Sequence, residues 1–213
     1  MDFKKSNQIL VTCAKGVSTV LKTELEKFEY EVHHETSLGV FIRGSLEDAI
    51  YLNMSLRTGL RVLYLVDKFQ AQTPDDLYRH VSAMPWEEVL YPDGYFSITS
   101  SVSNEYIQDS RFANLKCKDG VVDRLQQSFG RRPDTGPDRS KAVLFMYWKD
   151  NEGSIYIDTS GEPLSRRGYR KIPMKAPMQE TLAAATLLAA GWTGDGHFIN
   201  PMCGSGTVAI EAA

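Results

Sequence analysis

The stretch that most constrains how this chain can fold is Phe198-Ile199-Asn200-Pro201-Met202-Cys203-Gly204-Ser205-Gly206-Thr207-Val208-Ala209-Ile210-Glu211, close to the end of its 213 residues. Two apolar residues lead into Asn-Pro, small residues follow, and an alanine-bearing apolar run begins, which reads as strand, tight turn and helix. Gly204 and Gly206 remove side chains where a ligand must approach the backbone, and the free N–H groups at the start of the helix point back at the same spot. The turn therefore reads as a cofactor cradle. Gly204-x-Gly206-x-x-Ala209 also satisfies the loose dinucleotide fingerprint, although that turn passes from strand directly to glycine, whereas Asn200 and Pro201 intervene here. A plain strand-helix turn is the third reading.

At 42% hydrophobic and 24% charged the chain has the composition of a globular protein, not a disordered one. No apolar run reaches the roughly 20 residues that cross a bilayer, and Met1-Asp2-Phe3-Lys4-Lys5 lacks the apolar core of a signal peptide, so a cytoplasmic protein is expected. Cys13, Cys117 and Cys203 are odd in number and form no Cys-x-x-Cys pair, which suggests neither a disulfide framework nor a metal site. The net charge of -3 hides a split. Residues 1–110 hold 10 basic and 16 acidic residues, residues 111–175 hold 14 and 8, and residues 176–213 hold none and 3. A local basic surface in the middle third can meet phosphates whatever the global sign.

Residues 8–69 predict β-α-β-β-α-β, the order of a ferredoxin-like unit: a strand at Ile9–Thr12, a helix at Ser18–Phe28, a strand pair at 31–34 and 39–42, a helix capped by Ser45, and a strand at Arg61–Phe69. His33 and His34, adjacent on a strand, face opposite ways and cannot share one site. In residues 73–160, Thr73-Pro74 starts a helix that stops before Pro85, Tyr95–Ser100 alternates as a strand, and Lys141–Lys149 pairs with Ser154–Asp158. The loop from Arg131 and Arg132 to Arg139 and Lys141 is proline-broken and basic.

The helix over 112–129 is expected to bury Leu115, Val122, Leu125 and Phe129. Lys116, Gly120 and Arg124, four apart, would then lie on roughly the opposite side, two cations flanking a residue without a side chain. A sugar-phosphate backbone could approach such a face closely; a solvated helix face is the alternative. The connector 163–176 carries Arg166, Arg167 and Arg170, and a helix follows Pro177 with Gly191 at its end.

Two resemblances carry these readings further. The terminal string resembles motif I of S-adenosylmethionine-dependent methyltransferases of the rRNA large-subunit type, usually Asp-Pro-Met-Cys-Gly-Ser-Gly-Thr, with Asn200 here in place of Asp. Lys175-Ala176-Pro177 and Glu180-Thr181-Leu182-Ala183 resemble the family's motif X, beside the methionine end of the cofactor. The string Asp109 to Asp123 resembles the THUMP domain, an RNA-binding module that carries a ferredoxin-like partner. The expected architecture is α+β: a ferredoxin-like N-terminal unit (1–70), a THUMP α/β domain (71–162), a basic connector (163–176) and the first elements of a Rossmann-like methyltransferase domain (177–213).

The resemblance implies S-adenosylmethionine as cofactor, held by Asn200, Pro201, Met202, Cys203, Gly204, Ser205, Gly206 and Thr207 with Glu180 and Thr181. It implies RNA contacts at Arg111, Lys116, Lys118, Gly120, Arg124, Arg131, Arg132, Arg139, Lys141, Arg166, Arg167 and Arg170, and no metal. The implied reaction is methyl transfer to guanine N2 of 23S rRNA; tRNA guanine N2, adenine N6 of DNA and a stand-alone RNA-binding protein are the alternatives. The family's (Asn/Asp)-Pro-Pro-(Tyr/Phe) tetrapeptide has no counterpart in the chain, nor has its ribose-binding acidic residue. A fragment without a catalytic centre, inactive alone, is expected.

Overall fold

The computed structural model describes residues 4–107, 109–170 and 176–213, which form two compact units. One unit joins Lys4–Val62 to Glu162–Ala213, and the other holds Leu63–Gly161. The first groups the ferredoxin-like segment with the end of the chain, whereas the sequence boundaries at 70 and 162 separate them.

In the first unit, β1 (Asn7–Thr12), α1 (Ser18–Lys27), β2 (Val32–Thr36), β3 (Gly39–Gly44) and α2 (Leu46–Ser55) follow the expected order. Antiparallel β3 lies between β1 and β2, in register from Asn7↔Gly44 to Thr12↔Gly39 on the β1 side. On the other side of β1, the Leu60 N–H donates to the Thr12 carbonyl at 2.7 Å, where β4 (Arg61–Gln70) begins. Ser45 starts α2 with a capping box, its hydroxyl accepting from the Asp48 N–H while the Asp48 carboxylate accepts from the Ser45 N–H. Ile9, Val11, Leu21, Leu25, Val40, Ile42, Ala49 and Leu52 form the core, alternating on the strands and recurring at helical spacing on the helices. Glu24, buried on α1, accepts hydrogen bonds from the Arg57 and Thr58 N–H groups and the Thr58 hydroxyl at 2.7, 3.0 and 2.5 Å. A buried carboxylate so satisfied fixes the α2–β4 turn. Two further helices, α5 (Glu180–Ala189) and α6 (Thr207–Ala212), belong to this unit.

One expectation fails here. Gly196–Asn200 does not form a strand, because among the described residues no neighbour pairs with it; it runs to the turn with Phe198 against Trp192, ring centroids 5.3 Å apart. The second half of the basic connector, 171–175, lies outside the described residues.

In the second unit, β4, β8 (Glu152–Asp158), β7 (Ala142–Lys149), β5 (Tyr95–Ser103) and β6 (Asp134–Thr135) lie side by side in that order. The β4–β8 and β8–β7 pairs are antiparallel, whereas β5 runs parallel to β7 and to β6. The short β6 sits inside the proline-broken basic loop. Helix α3 (Pro74–Ala83) starts with the Thr73–Asp76 capping box and Pro74 in its first turn, and α4 spans Ser110–Phe129. Trp86 and Trp148 are fully buried and donate their indole N–H groups to the Val81 and Ala71 carbonyls at 2.7 and 3.1 Å. Large rings therefore enter the core with no unpaired donor.

The predicted faces of α4 need correction. Ala113, Cys117, Gly120, Val121, Val122 and Leu125 are buried, whereas Leu115 is 52% and Phe129 38% exposed. A Cβ at Gly120 would stand 2.9 Å from Val81 Cγ1 and 3.2 Å from the Ser82 nitrogen, so α3 crosses α4 at this glycine. Gly120 opens a helix-helix contact and presents no open surface to a phosphate backbone.

Candidate functional site

The motif I turn is built by small residues in conformations others adopt only under strain. Gly204 and Gly206 have φ of 53° and 77°, and a Cβ at Gly204 would meet open space within 4 Å. The Gly206 N–H donates to the Cys203 carbonyl at 2.8 Å, and the Ser205 and Thr207 hydroxyls are 2.9 Å apart. Beside the turn is a cavity of about 170 Å3, lined by Ala176, Pro177 and Met178 on one side and by Met202, Cys203, Gly204, Ser205, Thr207 and Val208 on the other. The two segments likened to motifs X and I are thus brought together. The cavity is below the roughly 300–1,000 Å3 of small-molecule pockets, room for one end of a cofactor.

Three buried polar atoms of the connector, α5 and the motif I string have no partner, Arg170 Nε, Thr181 Oγ1 and Asn200 Nδ2, and four more, on Ser97, Ser100, Asn104 and Asn114, lie in the second unit. Native interiors leave few such groups, and they await a ligand or water. With open space at Gly204 the first three fit the polar methionine end of S-adenosylmethionine. Pro201, Met202, Cys203 and Gly204 are exposed, while Thr207, Glu180 and Thr181 are buried. Glu180 lies 3.6 Å from Arg170, so its carboxylate already has a cation.

The connector and α6 are joined by charges that sequence reading missed. Glu211, 4% exposed, accepts from Arg167 Nη1 at 2.7 Å and from the Tyr169 hydroxyl at 2.9 Å. Burial and this carboxylate push the Tyr169 phenol up to about 12. Arg57 donates to the Glu211 carbonyl, and Arg167 Nη2 to the Arg57 carbonyl at 2.7 Å. Arg170 donates to the Met178 carbonyl and, at 3.1 Å, to the Thr207 hydroxyl. One signal was available: a single carboxylate in the alanine-bearing run Thr207–Ala212 must be paired if it faces inward.

Apart from Gly120, Arg167 and Arg170, the proposed RNA contacts divide into two groups. Lys116 pairs with Asp75 at 2.9 Å, Arg124 forms a two-point pair with Glu87, Arg131 pairs with Asp93, and Arg166 with Glu162 at 2.8 Å. The Arg124 guanidinium holds the Glu87 carboxyl down at about 2. Arg111, Lys118, Arg132, Arg139 and Lys141 lie around a second surface. Arg111 and Lys118 line a groove of about 410 Å3 with Phe96, Ile98, Asn114 and Leu115. Arg132, Arg139 and Lys141 are exposed on the neighbouring loop. Arg111 is 87% exposed and paired to its own helix cap, Asp109, at 2.9 Å, an ion pair that solvent screens.

Comparison with known proteins follows the same division. Residues 8–63 match the RlmL ferredoxin-like domain, 71–158 the THUMP domain, and 167–213 the RMKL-like methyltransferase domain. The chain is 39% identical over 210 residues to the ribosomal RNA large subunit methyltransferase K/L of Syntrophotalea carbinolica, covering 97% of this chain and 30% of that protein. A solved "predicted N6-adenine-specific DNA methylase" from Listeria monocytogenes superposes with a TM-score of 0.87 at 32% identity, over 98% of this chain and 55% of that one. The chain SMU.472, complexed with SAH, superposes with 0.85 at 30% identity over the same shares. The chain thus spans under a third of that curated relative and just over half of the two solved structures. Domain by domain, from the ferredoxin-like strands to the motif I turn, the chain carries in order an RlmL ferredoxin-like domain, a THUMP domain and part of an RMKL-like methyltransferase domain.

Proposed function

We propose that this chain is the RNA-binding and cofactor-entry part of an S-adenosylmethionine-dependent RNA methyltransferase that acts on guanine N2 of 23S rRNA in the cytoplasm. The observation that carries this reading is one chain in which a THUMP fold precedes a glycine turn that shares a cavity with the segment likened to motif X. When bound, the cofactor supplies a sulfonium methyl group. The residues of the chain do the positioning: the turn receives the methionine end, and Pro177 and Met178 wall it off from the far side. Productive orientation is where most of the rate of such a transfer arises.

RNA would meet the groove of Arg111 and Lys118 and the loop cations Arg132, Arg139 and Lys141. A guanine in a helix has to be unstacked before its amine is reached. The curated relative's name, an rRNA large subunit methyltransferase, supports rRNA over tRNA. The Listeria protein's name keeps adenine N6 of DNA as the second reading. A THUMP module has no use on DNA, which favours RNA. Nucleoside mass spectrometry after incubation of the complete enzyme with labelled cofactor and undermodified 23S rRNA, tRNA or DNA decides. Label in N2-methylguanosine of 23S rRNA is expected; label in N6-methyladenine of DNA, and none in RNA, would overturn the assignment.

A further inference from the structure

Helix α6 opens directly out of the glycine turn, and polar side chains tie it to the connector at Thr207 and at Glu211. At the start, Arg170 reaches the Thr207 hydroxyl while also holding the Met178 carbonyl across the cavity, so one guanidinium spans the two walls of the cofactor turn. At the end, the buried Glu211 carboxylate is held by Arg167 and Tyr169. Arg57 also reaches Glu211, donating to its carbonyl and standing 3.9 Å from its carboxylate. Arg57 is the residue whose N–H is held by Glu24 of α1. A run of polar contacts therefore leads from the ferredoxin-like helix, through Glu211, to the connector and the turn.

We propose that Arg170 and Glu211 are positioning residues for the cofactor turn: together they fix the pose of Gly204 to Thr207 and tie it to the ferredoxin-like segment through Arg57. Arg167 and Arg170 then serve protein groups, and their charge holds the turn rather than RNA. The inference rests on the cofactor reading for its purpose, and on the hydrogen bonds alone for its geometry.

The test uses the 15N-labelled 213-residue chain and follows the amide resonances of Gly204, Gly206 and Thr207, first alone and then with millimolar S-adenosylhomocysteine. Arg170→Lys keeps the charge and cannot bridge Thr207 and Met178 at once; Glu211→Gln keeps the shape and loses the charge. Both should displace the Gly204 and Gly206 resonances, leave those of β5, β7 and β8 in place, and reduce the ligand-induced shifts at the turn at least threefold. Tyr169→Phe removes a single hydroxyl and should move the same resonances in the same direction by less, which keeps the inference testable if either other variant fails to fold. Variants whose turn resonances and ligand response match the parent would overturn it. If the parent itself shows no ligand response, the unliganded shifts alone decide whether the clamp exists, and the cofactor reading is decided separately by the labelling experiment on the complete enzyme.

Discussion

Gly120 is the residue at which two explanations of the same feature make opposite predictions. As part of an RNA-binding face it would tolerate alanine; as the crossing point of α3 and α4 it would not. A methyl group there sits 2.9 Å from Val81 Cγ1 and 3.2 Å from a backbone nitrogen, contacts that force a shift. Overpacking of this kind costs about 1–3 kcal/mol, and replacing a helical glycine by alanine returns about 1. Gly120→Ala should therefore lose roughly 1 kcal/mol in urea unfolding and leave the affinity for RNA unchanged. A stabilised variant would restore the open-face reading. The cysteines separate in the same way. Burial pushes the thiols of Cys13 and Cys117 up to about 11 and 12, whereas Cys203 is exposed in the turn. Because the thiolate is the reactive form, a thiol reagent at neutral pH should modify Cys203 quickly and the other two only on unfolding. Peptide mapping that finds Cys117 labelled first would contradict the packing of α4.

At the scale of elements, the Glu87–Arg124 pair joins α4 to the 3-10 turn Trp86–Glu88, and its carboxyl is depressed from 4.5 to about 2 by the hydrogen-bonded guanidinium. A depressed carboxyl stabilises the fold above its unfolded value and loses that contribution as the pH falls through the folded one. The parent should thus lose melting temperature between about pH 4.5 and 2, and Arg124→Gln should flatten that part of the profile. Parallel profiles would show that the pair is screened to insignificance. Elements whose signal is local were legible from sequence: Ser45 and Thr73 cap their helices, and the paired strands β7 and β8 were expected within two residues of their observed bounds. The faces of α4 were legible in part: Val122 and Leu125 are buried as expected, but Ala113, Cys117 and Gly120 were missed, because their small size signals close helix packing and registers weakly as hydrophobicity. The strand at Gly196–Asn200 failed for the complementary reason: a strand is defined by its neighbour, and the local pattern cannot supply one. In the candidate site, the turn was legible from its glycines, but the partners of Glu211 come from sequence positions 42 and 44 residues away and were not.

For the whole molecule, charge is distributed by partner as much as by position. Of the cations in the middle third, Lys116, Arg124 and Arg131 are paired with acidic residues of the same unit, and Arg167 and Arg170 hold the cofactor turn. Lys118 pairs with Asp119 at 3.4 Å, so what remains for RNA is a smaller set, centred on Arg132 and Arg139. Reversing Lys116 or Arg124 would leave Asp75 or Glu87 beside a like charge, so lost binding there would be confounded with lost stability. Arg132 and Arg139, which have no carboxylate partner among the described residues, avoid this: Arg132→Glu with Arg139→Glu should weaken binding to 23S rRNA fragments far more than Lys22→Glu with Lys27→Glu in the ferredoxin-like segment. Each phosphate contact on a single strand contributes about -0.7 to the slope of log affinity against log salt, so the first pair should also make that slope shallower by about 1.4. Sequence preference should change little, since backbone contacts set register and carry little base information. Equal losses and unchanged slopes for both pairs would mean that the exposed cations of the THUMP unit are a solvated surface, and RNA would have to be sought on another face of the protein.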